Sequence, residues 1–184
     1  MTEKHPEQTS GAVDFRALEL QDLERILRWR NLPDVARWMY TDHEISPAEH
    51  ARWFGGAMTD RSRRYWIIQL DGEPVGLANL YDISERQGRA YWAFYLADER
   101  VRGRGVGSAT ERFVMRHVFV DLGLAKLCCE VLATNEGVVR MHERYRFVVE
   151  GTLRKHVVKD GARVDVVTMG LLRDEWAASR WADG

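Results

Sequence analysis

The chain has 184 residues, 45% of them hydrophobic and 30% charged, proportions that suit one globular domain and exclude a predominantly disordered chain. Its 27 basic and 28 acidic side chains leave a formal net charge of -1, which excludes the basic excess of a general nucleic-acid binder and confines any anion site to a local cluster. The first ten residues lack the apolar run of a secretory leader, and no later stretch approaches the ~20 apolar residues that cross a bilayer. The two cysteines, Cys128 and Cys129, are adjacent in an apolar run and read as small core residues rather than a disulfide. A cytoplasmic protein with no membrane association is the expectation.

In chain order, residues 1–11 read as a mobile tail. Val13 to Leu18 alternate like a first strand, and Leu20, Leu23, Ile26 and Leu27 recur at helical spacing up to Arg30. A short second helix is expected over Pro33 to Trp38. Ser46-Pro47-Ala48-Glu49 combines an N-cap serine, a first-turn proline and a glutamate three residues past the cap, so a helix follows to about Met58.

Tyr65 to Leu70, an Asp71-Gly72 turn and Val75 to Tyr81 form a hairpin, and Ala90 to Leu96 add a further strand. Helical periodicity runs from Gly105 to Val120, with Gly123 as C-cap, before a strand over Leu127 to Leu132 and a helix over Glu136 to Tyr145. A second hairpin, Phe147 to Val158 and Arg163 to Leu171, turns at Lys159-Asp160-Gly161 and is followed by a short polar helix. This order predicts an α+β fold: a single, mostly antiparallel twisted sheet with helices on both faces and at least one parallel pair. The domain is set at residues 12–175, with 176–184 as a C-terminal extension.

The segment Arg102-Gly103-Arg104-Gly105-Val106-Gly107-Ser108 lies between strand and helix. A phosphate ester needs several backbone N–H groups aimed at one point, and a glycine-rich turn opening a helix supplies them, aided by the helix dipole. The pattern lacks the Lys-Ser/Thr ending of a nucleoside-triphosphate loop, and the sheet before it is not the opening strand of a dinucleotide fold. The six histidines show no ligand spacing with carboxylates or cysteines, so no metal is expected.

With Arg102, Gly105 and Gly107 in their places, the chain from about Val13 to Leu172 resembles the GNAT superfamily of N-acetyltransferases. The resemblance implies that this loop holds the pyrophosphate of acetyl-CoA and that Tyr95-Leu96-Ala97 pair their backbone with its pantetheine arm, a Leu96 N–H meeting the oxyanion. A second motif of the superfamily resembles Asn135 to Phe147, with Val138, His142 and Arg146 standing where alanine, tyrosine and glycine are usual. The missing tyrosine is the usual acid for the departing thiolate, so the resemblance passes that role to His142, whose imidazole type can donate near neutral pH. Tyr145 and water are the alternatives. Glu130, five residues before Asn135, matches the frequent position of a general base, with an outward, non-catalytic strand carboxylate as the other reading.

Trp29-Arg30-Asn31, Trp38-Met39-Tyr40 and Glu49-His50 to Trp53 concentrate aromatics, charge and histidine in the amino-terminal third, where Trp29 and Trp38 read as core. This third resembles the superfamily branch that acetylates the 4-amino group of a UDP-linked 4-amino-4,6-dideoxy sugar in pseudaminic acid biosynthesis. The resemblance implies a nucleotide-sugar pocket of Arg30, Met39, Tyr40, His50, Trp53, Tyr91 and Glu130, and is compatible with a homodimer. Aromatics there can stack uracil, and Arg30 and His50 can meet a diphosphate. A protein amino-terminal or polyamine acetyltransferase, and a catalytically silent acyl-CoA-binding module, are the rival expectations.

Overall fold

A computed structural model describes residues 11–182. All but one residue of the expected tail, and the last two residues of the expected extension, lie outside the described residues. The chain builds β1 (Val13–Ala17), α1 (Leu23–Arg30), α2 (Pro33–Ala36), α3 (Pro47–Thr59), β2 (Arg64–Leu70), β3 (Glu73–Ser84) and β4 (Arg89–Leu96). It continues with α4 (Val106–Arg116), β5 (Lys126–Leu132), α5 (Glu136–Arg144), β6 (Val148–Lys159), β7 (Ala162–Leu172) and α6 (Arg173–Ala177). The strands form one seven-stranded sheet in the order β1-β2-β3-β4-β5-β7-β6, antiparallel except for the β4–β5 pair.

The two Asp-Gly hairpin turns, β2–β3 and β6–β7, take two residues of positive φ, as their twist requires: Asp71 and Gly72 at 53° and 82°, Asp160 and Gly161 at 49° and 74°. The α3 cap forms as its residues dictate, with Ser46 accepting from the Glu49 N–H at 3.2 Å. The helix expected over Gly105 to Val120 is α-helical only to Arg116, after which His117–Asp121 widen into a π turn. The helix expected to Trp38 stops at Ala36.

Helix α5 ends in a Schellman motif: Phe147 donates its N–H to the His142 carbonyl at 3.1 Å and Arg146 to Glu143 at 2.9 Å. Arg146 therefore occupies the left-handed position, at φ 71°, where glycine is usual; this costs a non-glycine residue about 1 kcal/mol.

Each face of the sheet buries a separate core. On one face Val106, Val114, Met115 and Val118 of α4 and its π turn pack against Trp92, Leu127 and Cys129. On the other, Ile26, Val35 and Phe54 of α1–α3 pack against Tyr65, Ile67, Leu77 and Tyr95. The boundary expected at residue 175 falls inside α6. Trp176 is buried against Phe119, and Trp181 lies on Tyr145 at 4.6 Å, so residues 176–182 are a packed part of the domain.

Candidate active site

Strands β4 and β5 pair only from Arg89–Lys126 to Trp92–Cys129, and beyond that point they part. The remainder of β4 stays paired to β3, so the gap opens inside the sheet. Ala97 donates its N–H to Val75 at 2.8 Å toward β3; strand alternation therefore turns the Leu96 N–H to the opposite edge, into the gap. A cavity of about 510 Å³ fills this region. It is lined from the α1–α3 face by Arg30, Tyr40, Trp53 and Tyr95, and from the α4 face by Trp92, Phe94, Val138 and His142. The cleft thus joins the two faces through the sheet, the arrangement a reaction between two ligands arriving from opposite sides requires.

Of the residues expected in the acceptor pocket, Arg30, Met39, Tyr40, Trp53 and Glu130 line the cleft. Tyr40 donates its hydroxyl to the Glu130 carboxylate at 2.7 Å, bridging the loop after α2 to β5. Burial, with Glu130 beside it, holds the Tyr40 phenol well above its usual range, so it stays a donor. Arg30 reaches Thr41 Oγ1 at 3.2 Å, its Nε is buried without a partner, and among the described residues no carboxylate lies within ion-pair reach of it. Burial lowers the pKa of this guanidinium, against the weaker opposing pull of Tyr95, Tyr65 and Glu49.

Two expected pocket residues are elsewhere. His50 is buried in α3, where its Nε2 meets the Leu23 carbonyl at 2.8 Å, tying α3 to α1, and where burial lowers its pKa; it supports Trp53 by stacking at 5.1 Å. Tyr91 packs on Tyr81 at 5.5 Å with Arg89 over its ring, and the cleft is lined by Tyr81. His50 lies at an interior position of an amphipathic helix, and Tyr91 has a cross-strand partner, neither of which spacing reveals.

His142 is 3% exposed and lines the cleft, which excludes an outward-facing helix position. Its Nδ1 lies 2.8 Å from Oε1 of Glu111, a fully buried α4 carboxyl whose Oε2 has no partner. Burial pushes the Glu111 carboxyl up, against the opposing pull of His142 and Arg144. The one sign of Glu111 in the sequence is that a carboxylate within the apolar stripe Val106, Val114, Met115 and Val118 breaks the helical pattern. Tyr145, the alternative acid, is buried outside the cleft with its hydroxyl on the Ser108 carbonyl at 3.3 Å. Asn135 lines the cleft at the start of α5.

The glycine loop leaves β4 through a short 3₁₀ turn, Glu99–Val101, and enters α4 through Gly105, its N-cap, at φ 76°. Gly103 is also left-handed, at 75°. Gly105 has no side chain with which to cap the leading N–H groups of α4. A methyl at Gly107 would meet Met141 and Phe94 at ordinary contact distances, so packing does not demand the glycine; close approach from outside would. Val106 and Ser108 are buried, leaving backbone as what they can offer. Arg102 and Arg104 flank the loop, 3.3 Å from Glu99 and 3.2 Å from Asp71.

Residues 13–148 match the family model described as Acetyltransferase (GNAT) domain, and the chain belongs to that family of acetyl-CoA-dependent acetyltransferases. It is similar to the spermidine N(1)-acetyltransferase of Escherichia coli K12, 25% identical over 96% of this chain and 94% of that one. It is also similar to the acetyltransferase PseH of Campylobacter jejuni, 23% identical over 74% of this chain and 83% of that one. A solved spermidine N-acetyltransferase from Vibrio cholerae, in complex with CoA and spermine, shares the fold with a TM-score of 0.83 at 22% identity, over 90% of this chain and 98% of that one. Among the described residues no helix is long and apolar enough to cross a membrane.

Proposed function

We propose that this acetyltransferase moves the acetyl group of acetyl-CoA to the 4-amino group of a UDP-linked 4-amino-4,6-dideoxy sugar, by direct attack in a ternary complex. The observation that carries the reading is Arg30, a cation in the cleft wall whose Nε is unbonded and which has no carboxylate within ion-pair reach among the described residues. A diphosphate would supply the missing charge. A polyamine would instead bring more positive charge to a partly desolvated guanidinium, and Glu130, the cleft's carboxylate, already accepts from Tyr40.

Acetyl-CoA enters from the α4 side, its pyrophosphate on the N–H groups of Gly103 to Ser108 and its arm along the free edge of Tyr95 to Ala97. The sugar amine arrives from the α1–α3 side and attacks the thioester carbon. The Leu96 N–H holds the developing oxyanion, the carbon–sulfur bond breaks, and His142 protonates the thiolate. The amine proton leaves toward Glu130 or water. Cys129 borders the cleft, but burial holds its thiol well above the usual range, which disfavours the thiolate a covalent acyl intermediate would need. Self-association belongs to the same proposal: β6 is an edge strand with Val148, Val149, Leu153 and Val158 exposed, and a Vibrio cholerae neighbour is described as dodecameric.

The test is a side-by-side assay of the UDP-linked 4-amino sugar, spermidine and a free-amine peptide as acceptors. Saturable acetylation of the sugar, with Arg30→Met raising its KM about tenfold or more while the acetyl-CoA KM holds, is expected, a loss of at least ~1.4 kcal/mol of acceptor binding. Turnover of spermidine in preference to the sugar would replace this reading with the polyamine one.

A further inference from the structure

We propose that Glu111 is a positioning residue for proton delivery, forming with His142 a buried acid relay that hands a proton to the departing thiolate. The inference rests on the reading of His142 as the acid. It is carried by geometry: Glu111 Oε1 and His142 Nδ1 are 2.8 Å apart, and the two side chains are 0% and 4% exposed. Only His142 borders the cleft. With Nδ1 engaged, the ring edge carrying Nε2 is the one left to face the cleft. Trp92 and Phe147, each with its ring 5.2 Å from the imidazole, fix the plane.

The proton arithmetic gives the pair its use. In its loaded state it holds two protons, one between Oε1 and Nδ1 and one on Nε2. Whether the shared proton sits nearer oxygen or nitrogen, Nε2 carries a hydrogen toward the cleft. When the carbon–sulfur bond breaks, the electron pair goes to sulfur and the Nε2 proton follows it. The shared proton settles on Nδ1, leaving a neutral imidazole donating to an ionised Glu111.

A buried carboxyl without its partner is expensive, so evolution of a mere packing residue would favour an apolar side chain at this place in the α4 stripe. The unpartnered Oε2 adds to that cost with no return in stability. The expense is accounted for if the carboxylate takes up the charge change at the moment of transfer. Arg144 and Cys129 are the other ionisable groups that act on or feel Glu111, and the 2.8 Å contact leaves no room for either between it and His142.

The experiment compares Glu111→Gln and His142→Gln in the full chain, with acetyl-CoA and the UDP-linked 4-amino sugar, and records ¹⁵N spectra of the histidine side chains. Glu111→Gln should lower kcat about tenfold or more while the KM for acetyl-CoA and the melting temperature hold. In the wild type at alkaline pH, His142 should retain its proton on Nδ1 and lose it from Nε2. If Glu111→Gln keeps wild-type kcat while His142→Gln loses it, the relay is wrong and the acid assignment stands. If His142→Gln itself keeps kcat, both fall. Should Glu111→Gln fail to fold, the spectrum decides alone: a neutral His142 ring protonated on Nε2 overturns the relay.

Discussion

Asp22 shows how a buried charge on this chain is made safe when it has only a structural task. It is fully buried, yet Arg16 and Arg25 reach it at 2.7 and 2.8 Å and the Glu19 N–H at 3.1 Å. Burial pushes its carboxyl up, but Arg16, the Glu19 N–H and Arg25 together outweigh it and hold it below the usual carboxylate range. A carboxyl so lowered contributes stability that is present above its unfolded value and lost as pH falls through the folded one. Asp22→Asn should therefore destabilise the protein at pH 7 by about 2 kcal/mol in urea unfolding, with the gap to wild type closing below about pH 4. A gap that persists unchanged at lower pH would assign the loss to packing. The two buried histidines could not be ranked from sequence: both lie on helices beside aromatics, and only the fold turns His142 to the cleft and His50 to a backbone carbonyl. Glu111 was legible only as a break in a stripe.

At the scale of elements, the loop between α2 and α3 carries Met39, Tyr40 and Thr41, and it is held from the far end of the chain. Lys159, at the tip of the β6–β7 hairpin, donates to the carbonyls of Ala36 at 3.1 Å and Thr41 at 2.8 Å, and the Asp160 N–H meets Asp42 at 3.0 Å. These contacts span more than a hundred residues of sequence. Lys159→Met should free the loop, raising the acceptor KM about tenfold, equivalent to ~1.4 kcal/mol, while the KM for acetyl-CoA holds. An unchanged acceptor KM would show that Tyr40 needs no help from the hairpin. The elements themselves were largely legible, because Asp-Gly turns, the Ser46 cap and clear periodicities act locally. The π turn was not; it begins at His117, which with Phe113 packs on Trp66, a partner far off in sequence. The Lys159 tether was equally hidden: a lysine at a hairpin tip ordinarily points to water.

For the whole molecule, the exposed apolar side chains of β6 give an expected outcome in solution. A twelve-residue edge strand that exposes four large apolar side chains is a template for pairing with another chain. Sedimentation should find the protein associated, and Val149→Lys with Leu153→Lys should shift it toward monomer without lowering the melting temperature of the monomer fold. A wild type that sediments as a monomer at tens of micromolar would remove this edge from consideration. The sheet's strand order was not legible in advance, because nothing local says that β7 rather than β6 lies beside β5. The glycine loop is contiguous in sequence and could be read as one motif; the proposed acceptor pocket draws on α1, the loop after α2, α3 and β5, and no single stretch of sequence carries it.

The four-residue seam between β4 and β5 has one more implication. Four strands stand on one side of it and three on the other, and past Trp92 and Cys129 no backbone ladder joins them. A donor whose amide-bearing arm lay in that gap would act as a temporary eighth strand, mending the sheet for as long as the reaction lasts. The enzyme would then be stiffest when loaded and loosest just after release, so that the tightening needed for transfer is brought in by the donor and carried away with the spent thiol.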